Sequence, residues 1–173
     1  MRDFIYEIMT DYTNQVIFIH VLSAVIWVGG MVAIFIITKT AHKTVSDERR
    51  LAGRAALIKN YFRFLIPFIL TLLLSAVFMA LGYQDNALDD DGFILDNKSF
   101  EIYKYVTMKG SIWIAMVMNM LLMVWIISKA EKKDCAVQKA TDCMWLVNTY
   151  LLPINIIMGT IAIYIGVSIR HAF

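Results

Sequence analysis

Four long runs of apolar residues, separated by polar segments, dominate the pattern along the chain. They lie at about 16–38, 64–83, 109–128 and 145–168. Each holds roughly 20 residues, and at a rise of about 1.5 Å per residue such a helix crosses a hydrocarbon core of about 30 Å. Because lipid cannot satisfy backbone polar groups, and no alternation typical of barrel strands appears, these runs are predicted to be helices. The expected fold is an all-α, integral membrane four-helix bundle, with residues 1–173 forming one membrane domain.

The charged residues between the runs change sign from one segment to the next. The first and third connecting segments are basic: Lys39, Lys43, Arg49, Arg50, Arg54, Lys59 and Arg63, then Lys129, Lys132, Lys133 and Lys139. The second is acidic: Asp85, Asp89, Asp90, Asp91, Asp96 and Glu101. Segments rich in Lys and Arg stay in the cytoplasm. We therefore expect a multi-pass protein of a bacterial inner (cytoplasmic) membrane with both termini periplasmic. Topology accounts for the basic residues, so no nucleic-acid partner is expected.

An ionisable residue lies inside the first run, in the stretch FIHVLSAVIWVGG. His20 is about one turn from the predicted outer end, and helical spacing puts Trp27 and Met31 on the same face. Gly30 lies deeper and lets another helix or a flat ligand approach closely. Ionisable groups within a span face the bundle interior and usually mark function. His20 is therefore the first candidate for a functional side chain.

The third run begins with a second ionisable residue at the same predicted level of the membrane. Lys109 opens the stretch MKGSIWIAMVMNM, Trp113 continues its face, and Asn119 lies deeper in the span. A Lys at the end of a span can also extend to the aqueous interface, so a ligand-free role stays open. Since the four runs hold no Asp or Glu, His20 has no carboxylate partner there. The partners that remain for His20 are a metal ion, a haem iron or a hydrogen bond to another span. The first two are included because neutral imidazole binds iron and copper well.

The fourth run carries small and amide residues on one face. They are spaced by three, four or seven positions: Asn148, Asn155, Gly159, Ala162 and Gly166. Such a stripe is typical of a helix–helix contact. Pro153 is expected to kink this helix. His171, near the C-terminus, falls on the opposite face, and it is the remaining histidine that could join His20 as a metal ligand at the outer end.

The pattern HVLSAVIWVGGMV resembles the first span of the CopD and HemJ superfamily of small membrane proteins. The Lys that opens the third span, the deeper Asn119, Arg63 with Phe64, and Gly82 are also similar to that superfamily. The HemJ side implies a four-helix protoporphyrinogen oxidase that binds haem b, with His20 as axial ligand and Lys109 neutralising a propionate or orienting the porphyrin. The CopD side implies copper uptake or resistance.

Three hypotheses for function follow. The first is a b-type membrane cytochrome, an oxidoreductase that oxidises a porphyrinogen or transfers electrons between a quinone or quinol and a redox partner. Its haem would lie between spans one, three and four, with Trp27, Trp113 and the glycines against its faces. The second is a copper-handling protein that uses thioethers on one face of the third span: Met116, Met120 and Met123. The third is a non-catalytic small subunit of a homo-oligomer or larger membrane complex. Signatures of nucleotide-binding, Ser–His–Asp and zinc enzymes are absent from the sequence.

Overall fold

The computed structural model describes residues 2–40, 47–88, 93–130 and 137–172, which are almost entirely helical. The helices are α1 (Arg2–Thr40), α2 (Asp47–Ala87), α3 (Asn97–Ala130), α4 (Val137–Leu146) and α5 (Leu152–Ala172), with a π-helical turn at Val147–Leu151 that joins α4 to α5. The predicted all-α fold is therefore confirmed.

Within the described residues, four helical segments are long and apolar enough to cross a membrane. They are Asp11–Thr40, Leu51–Leu81, Asn97–Ala130 and Lys139–Ser168. Each segment begins before the corresponding predicted apolar run. The helices likewise begin within the polar segments, α2 at Asp47 in the first basic segment and α3 at Asn97 in the acidic one. Charged residues such as Glu, Lys and Arg are good helix formers, so a helix continues past the hydrocarbon boundary that hydrophobicity marks.

The helices form a bundle in which neighbours in the chain are also neighbours in space. α1 packs mainly against α2 and α5, and α3 packs mainly against the same two helices. α1 and α3 therefore lie diagonally across the bundle, so side chains on their inner faces point toward one another. This arrangement brings the predicted faces of His20 and Lys109 to the same interior.

The core consists of large side chains from every span. Trp27 and Met31 of α1 are 1% and 0% exposed, and Met123 of α3 is 0% exposed. The predicted inner face of α1 is thus confirmed. Outward-facing positions are apolar as well, as expected for helices that contact lipid rather than water.

The small-residue stripe of the fourth span is a helix contact, as predicted. A Cβ built on Gly159 would lie 2.5 Å from Cγ2 of Val28 in α1 and 3.2 Å from Cε of Met116 in α3. On the opposite face, Tyr150 and Tyr164 are 49% and 72% exposed. Glycine at this position allows α5 to approach both α1 and α3 closely.

The fourth span changes its helical register just before Pro153. The N–H of Leu152 donates to the carbonyl of Val147, a bond that spans five residues and defines the π turn. Asn119 of α3 donates from Nδ2 to the carbonyl of Leu151 at 2.8 Å, so a side chain from another helix completes the bonding here. The irregularity predicted from Pro153 therefore takes the form of a widened turn supported by α3.

Asp96 caps the N-terminus of α3 on the acidic side of the bundle. Its carboxylate accepts bonds from the backbone N–H and the hydroxyl of Ser99, at 2.8 and 2.7 Å. These two bonds lower the pKa of Asp96 from its ordinary value. The cap is therefore fully present at pH values above an ordinary Asp pKa of about 4 and is lost as pH falls through the lower pKa of the folded state.

We expect Asp96→Ala to fray the first turn of α3 at neutral pH, because an N-cap carboxylate satisfies backbone N–H groups that the helix leaves unbonded. Faster hydrogen–deuterium exchange at the amide of Ser99 would measure the effect, and Asp96→Asn, which keeps a capping oxygen, is the control. Equal exchange of the Ser99 amide in Asp96→Ala and the parent protein would contradict the cap.

Candidate functional site

His20 lies in the bundle interior near the end of the span at which α1 begins, and it is 7% exposed. Its Nδ1 lies 2.8 Å from the hydroxyl oxygen of Ser75 in α2. Ser75 is itself 6% exposed, so this bond is removed from both lipid and water. The histidine that the sequence singled out is therefore held by a neighbouring helix.

The bonds of Ser75 bear on which nitrogen of His20 carries the proton. The Ser75 hydroxyl has acceptors on its own helix, with the carbonyl of Thr71 at 2.8 Å and that of Leu72 at 3.1 Å. A hydroxyl has one proton to give, and when that proton goes to α2 its oxygen accepts from His20. Nδ1 is then the protonated nitrogen. A neutral imidazole of this tautomer has its lone pair on Nε2, which is the nitrogen that a metal ion or haem iron binds.

Lys109 lies on α3, which is diagonal to the helix of His20 in the bundle. Its Nζ is 2.9 Å from the position that a Cβ would take on Gly166 of α5. Only glycine at that position leaves space for the end of the Lys109 side chain. The two ionisable residues predicted to share a membrane level are thus both turned into the interior, with Ser75 and Gly166 beside them on the other two helices.

Two buried indole groups lie farther into the bundle from this pair. The Nε1 atoms of Trp27 and Trp113 are both buried, and neither has a hydrogen-bond partner among the described residues. Both indoles are donors only. Together with the ammonium group of Lys109, they make the interior beyond His20 rich in donors, a composition that suits a ligand with oxygen acceptors.

Two further predicted site residues have structural contacts. A Cβ on Gly30 would meet the ring of Tyr61, 2.6 Å from two of its carbon atoms. The Tyr61 hydroxyl lies 2.9 and 2.7 Å from the carbonyls of Ile26 and Trp27. Asn119 supports the π turn through its bond to Leu151. Gly30 and Asn119 thus contact other helices rather than the His20–Lys109 pair.

The other predicted metal ligand, His171, has a side chain outside the described part of the chain. Within the described part, no group of three or more His, Cys, Asp or Glu side chains lies close enough together to hold a metal ion. A site built from such side chains alone therefore does not form there. A haem is a different case, because the porphyrin supplies four ligands to its iron and the protein need supply only one or two.

Ser75 and Tyr61 were not predicted from the sequence. Ser75 had a usable signal, because it continues a regular buried stripe of α2: Ile58, Phe62, Leu65, Ile69 and Leu72. A serine in line with such a stripe is turned toward the interior, where it can bond another helix. Tyr61 had no such signal, since tyrosines near the end of a span are common at membrane interfaces.

Comparisons with family models, with curated proteins and with solved structures find no match for this chain. Function must therefore be inferred from the chemistry of the site itself.

Proposed function

We propose that this protein is a membrane haem protein that binds haem b through Nε2 of His20. The observation that carries the proposal is the bond between Nδ1 of His20 and Ser75, whose oxygen can accept from the ring while its own proton goes to α2. Histidines that bind metals usually donate their second ring N–H to a nearby oxygen, which fixes the ring and its tautomer. The pair of His20 and Ser75 can form this arrangement.

The surroundings of His20 fit a porphyrin with acidic side groups. Lys109 would pair with a propionate, and its ammonium group can reach the interior because Gly166 leaves space for it. Trp27 is buried in the core, and its indole N–H has no partner among the described residues, so it is available as a donor to an oxygen of the ligand. The bound haem would supply one-electron transfer at its iron. His20 would hold the iron, and Lys109 would orient the porphyrin.

This proposal includes a role and a location. The role is redox chemistry, either oxidation of a porphyrinogen or electron transfer between a quinone and a partner protein, in a bacterial inner membrane. The excess of Lys and Arg in the first and third connecting segments supports the orientation, because such segments stay on the cytoplasmic side. The His20 site would then be near the periplasmic face.

A reduced-minus-oxidised absorption spectrum tests the proposal, recorded on protein purified in detergent from cells supplied with haem precursors. We expect a b-type spectrum and about one haem per chain, or one per dimer if two copies share it. Metal analysis of the same sample separates this from the copper hypothesis. A spectrum without haem bands, from folded protein, would reject the haem proposal.

Copper handling is the second candidate, and one observation favours it. The three thioether residues on the predicted face of α3 are all buried, with Met116, Met120 and Met123 at 3%, 7% and 0% exposure. They belong to a core that also contains Ile, Leu and Phe, and methionine fills such cores without binding metal. Copper(I) bound in the parent protein and lost when all three become leucine would support this candidate over the haem proposal.

We expect Gly166→Val to weaken haem binding while the protein still folds. The added side chain would displace Nζ of Lys109, the mobile end of a flexible residue, so the helices need not move apart. Losing a charged hydrogen bond of about 1.5–3 kcal/mol corresponds to a roughly ten- to hundredfold weaker affinity. Haem titration measures it, with Gly110→Val as the control because a Cβ there meets nothing within 4 Å. Equal affinities in the two variants would contradict the role of Lys109.

A further inference from the structure

The fourth span carries buried amide groups that are unpaired within the described part of the chain. Asn155 is 0% exposed, and neither its amide oxygen nor its amide nitrogen has a hydrogen-bond partner among the described residues. The side-chain oxygen of Asn148 is also buried and has no hydrogen-bond partner among the described residues. Burial of both amides places the two residues on the inner side of this span, seven positions apart. Unpaired polar groups this deep in a bundle are costly, and such groups are usually bonded to protein or to water.

The π turn adds a backbone acceptor between these two amides. The N–H of Leu152 is given to Val147 rather than to Asn148, and the next residue, Pro153, has no N–H to give. The carbonyl of Asn148 would accept from Leu152 in an α-helix and from residue 153 in a π-helix. It therefore lacks both regular donors. One part of the same turn is completed from outside, because Asn119 donates to the carbonyl of Leu151. The turn is thus a place where groups other than the helix itself must provide hydrogen bonds.

The set of unpaired atoms indicates what kind of molecule would complete it. Asn155 offers two N–H donors and an acceptor, whereas Asn148 offers acceptors. A metal cation would use the oxygens and leave the amide nitrogen of Asn155 unpaired. One turn farther along, Gly159 is in close contact with Val28 and Met116, so a bulky ligand does not fit alongside this stripe. Water both donates and accepts, and buried waters typically make about three hydrogen bonds to such groups.

We propose that the π turn of the fourth span is a binding site for a short chain of buried water molecules, which connects Asn155 to Asn148. The site is separate from the His20–Lys109 pair and does not depend on haem. It explains why two amides and a proline occur together on an inward-facing stripe. It also makes the wide turn stable, because water replaces the helical bonds that Pro153 removes.

Water contacts measured by NMR on the isotopically labelled parent protein in detergent micelles test this site. We expect a water cross-peak at the side-chain NH2 of Asn155, and none at the backbone N–H of Met123, a buried helical residue that serves as the dry control. A crystal or electron microscopy structure with ordered water within hydrogen-bond distance of Asn155 would support the same conclusion. No water contact at Asn155 in folded protein, with the spectrum otherwise well resolved, would overturn the proposal.

Discussion

The His20→Ala variant is expected to purify without haem, because it removes the group that we propose binds the iron. Alanine lacks any ligand atom. We expect the loss to be complete in the absorption spectrum. Added imidazole should restore part of it, because a free imidazole can occupy the space that the missing side chain leaves.

Two control variants separate ligation from a general effect on folding. His42→Ala changes a histidine in the first basic segment and should keep full haem content. Ser75→Ala keeps the imidazole but removes the oxygen that holds it, so we expect haem to bind about 10–100-fold more weakly. Retention of the full haem spectrum in His20→Ala would contradict the assignment of the ligand.

The second large effect is expected on stability, in Gly30→Ala. The new methyl group would overlap the ring of Tyr61, whose hydroxyl lies within hydrogen-bond distance of two carbonyls of α1 and therefore cannot easily move away. Overpacking of this kind costs typically about 1–3 kcal/mol of unfolding free energy. Thermal or denaturant unfolding in detergent, followed by the loss of helical signal, would measure the change.

The neighbouring residue provides a matched control for that substitution. A Cβ on Gly29 meets nothing within 4 Å, so Gly29→Ala makes the same chemical change on the same helix without the clash. We expect its stability to equal or slightly exceed that of the parent protein, since alanine has the higher helix propensity. Similar losses in both variants would show that the contact between Gly30 and Tyr61 does not govern the packing of α1 on α2.

Hydrophobic length and helical spacing were enough to predict the spans and their inner faces. The burial of Trp27 and Met31 follows directly from their spacing after His20, and the glycine stripe of the fourth span follows from the small size of its residues. Each of these features depends on the residues of a single helix. The periodic pattern of residues within that segment is therefore enough to predict which face lies inside the bundle.

Contacts between helices were harder to predict, because they depend on the rotation and depth of two segments at once. The bond of His20 to Ser75 joins residues 55 positions apart, and nothing in the sequence around either residue specifies the other. The same holds for Gly30 and Tyr61. Asn119 was predicted as a site residue because it is polar and inside a span, whereas its partner is the main-chain carbonyl of Leu151 in the π turn. A main-chain partner of this kind cannot be predicted from the identities of the side chains.

The nitrogen-15 chemical shifts of His20 in the haem-free protein test most directly the claim that Ser75 leaves Nε2 available for a ligand. Protonated and unprotonated ring nitrogens have well-separated shifts, so the tautomer can be assigned. If the Ser75 proton goes to α2, as we propose, Nδ1 carries a proton and Nε2 a lone pair, and binding of haem should then perturb Nε2 while Nδ1 stays protonated. A proton on Nε2 and a lone pair on Nδ1 would contradict the account, because Ser75 would then not hold the ring for an iron ligand.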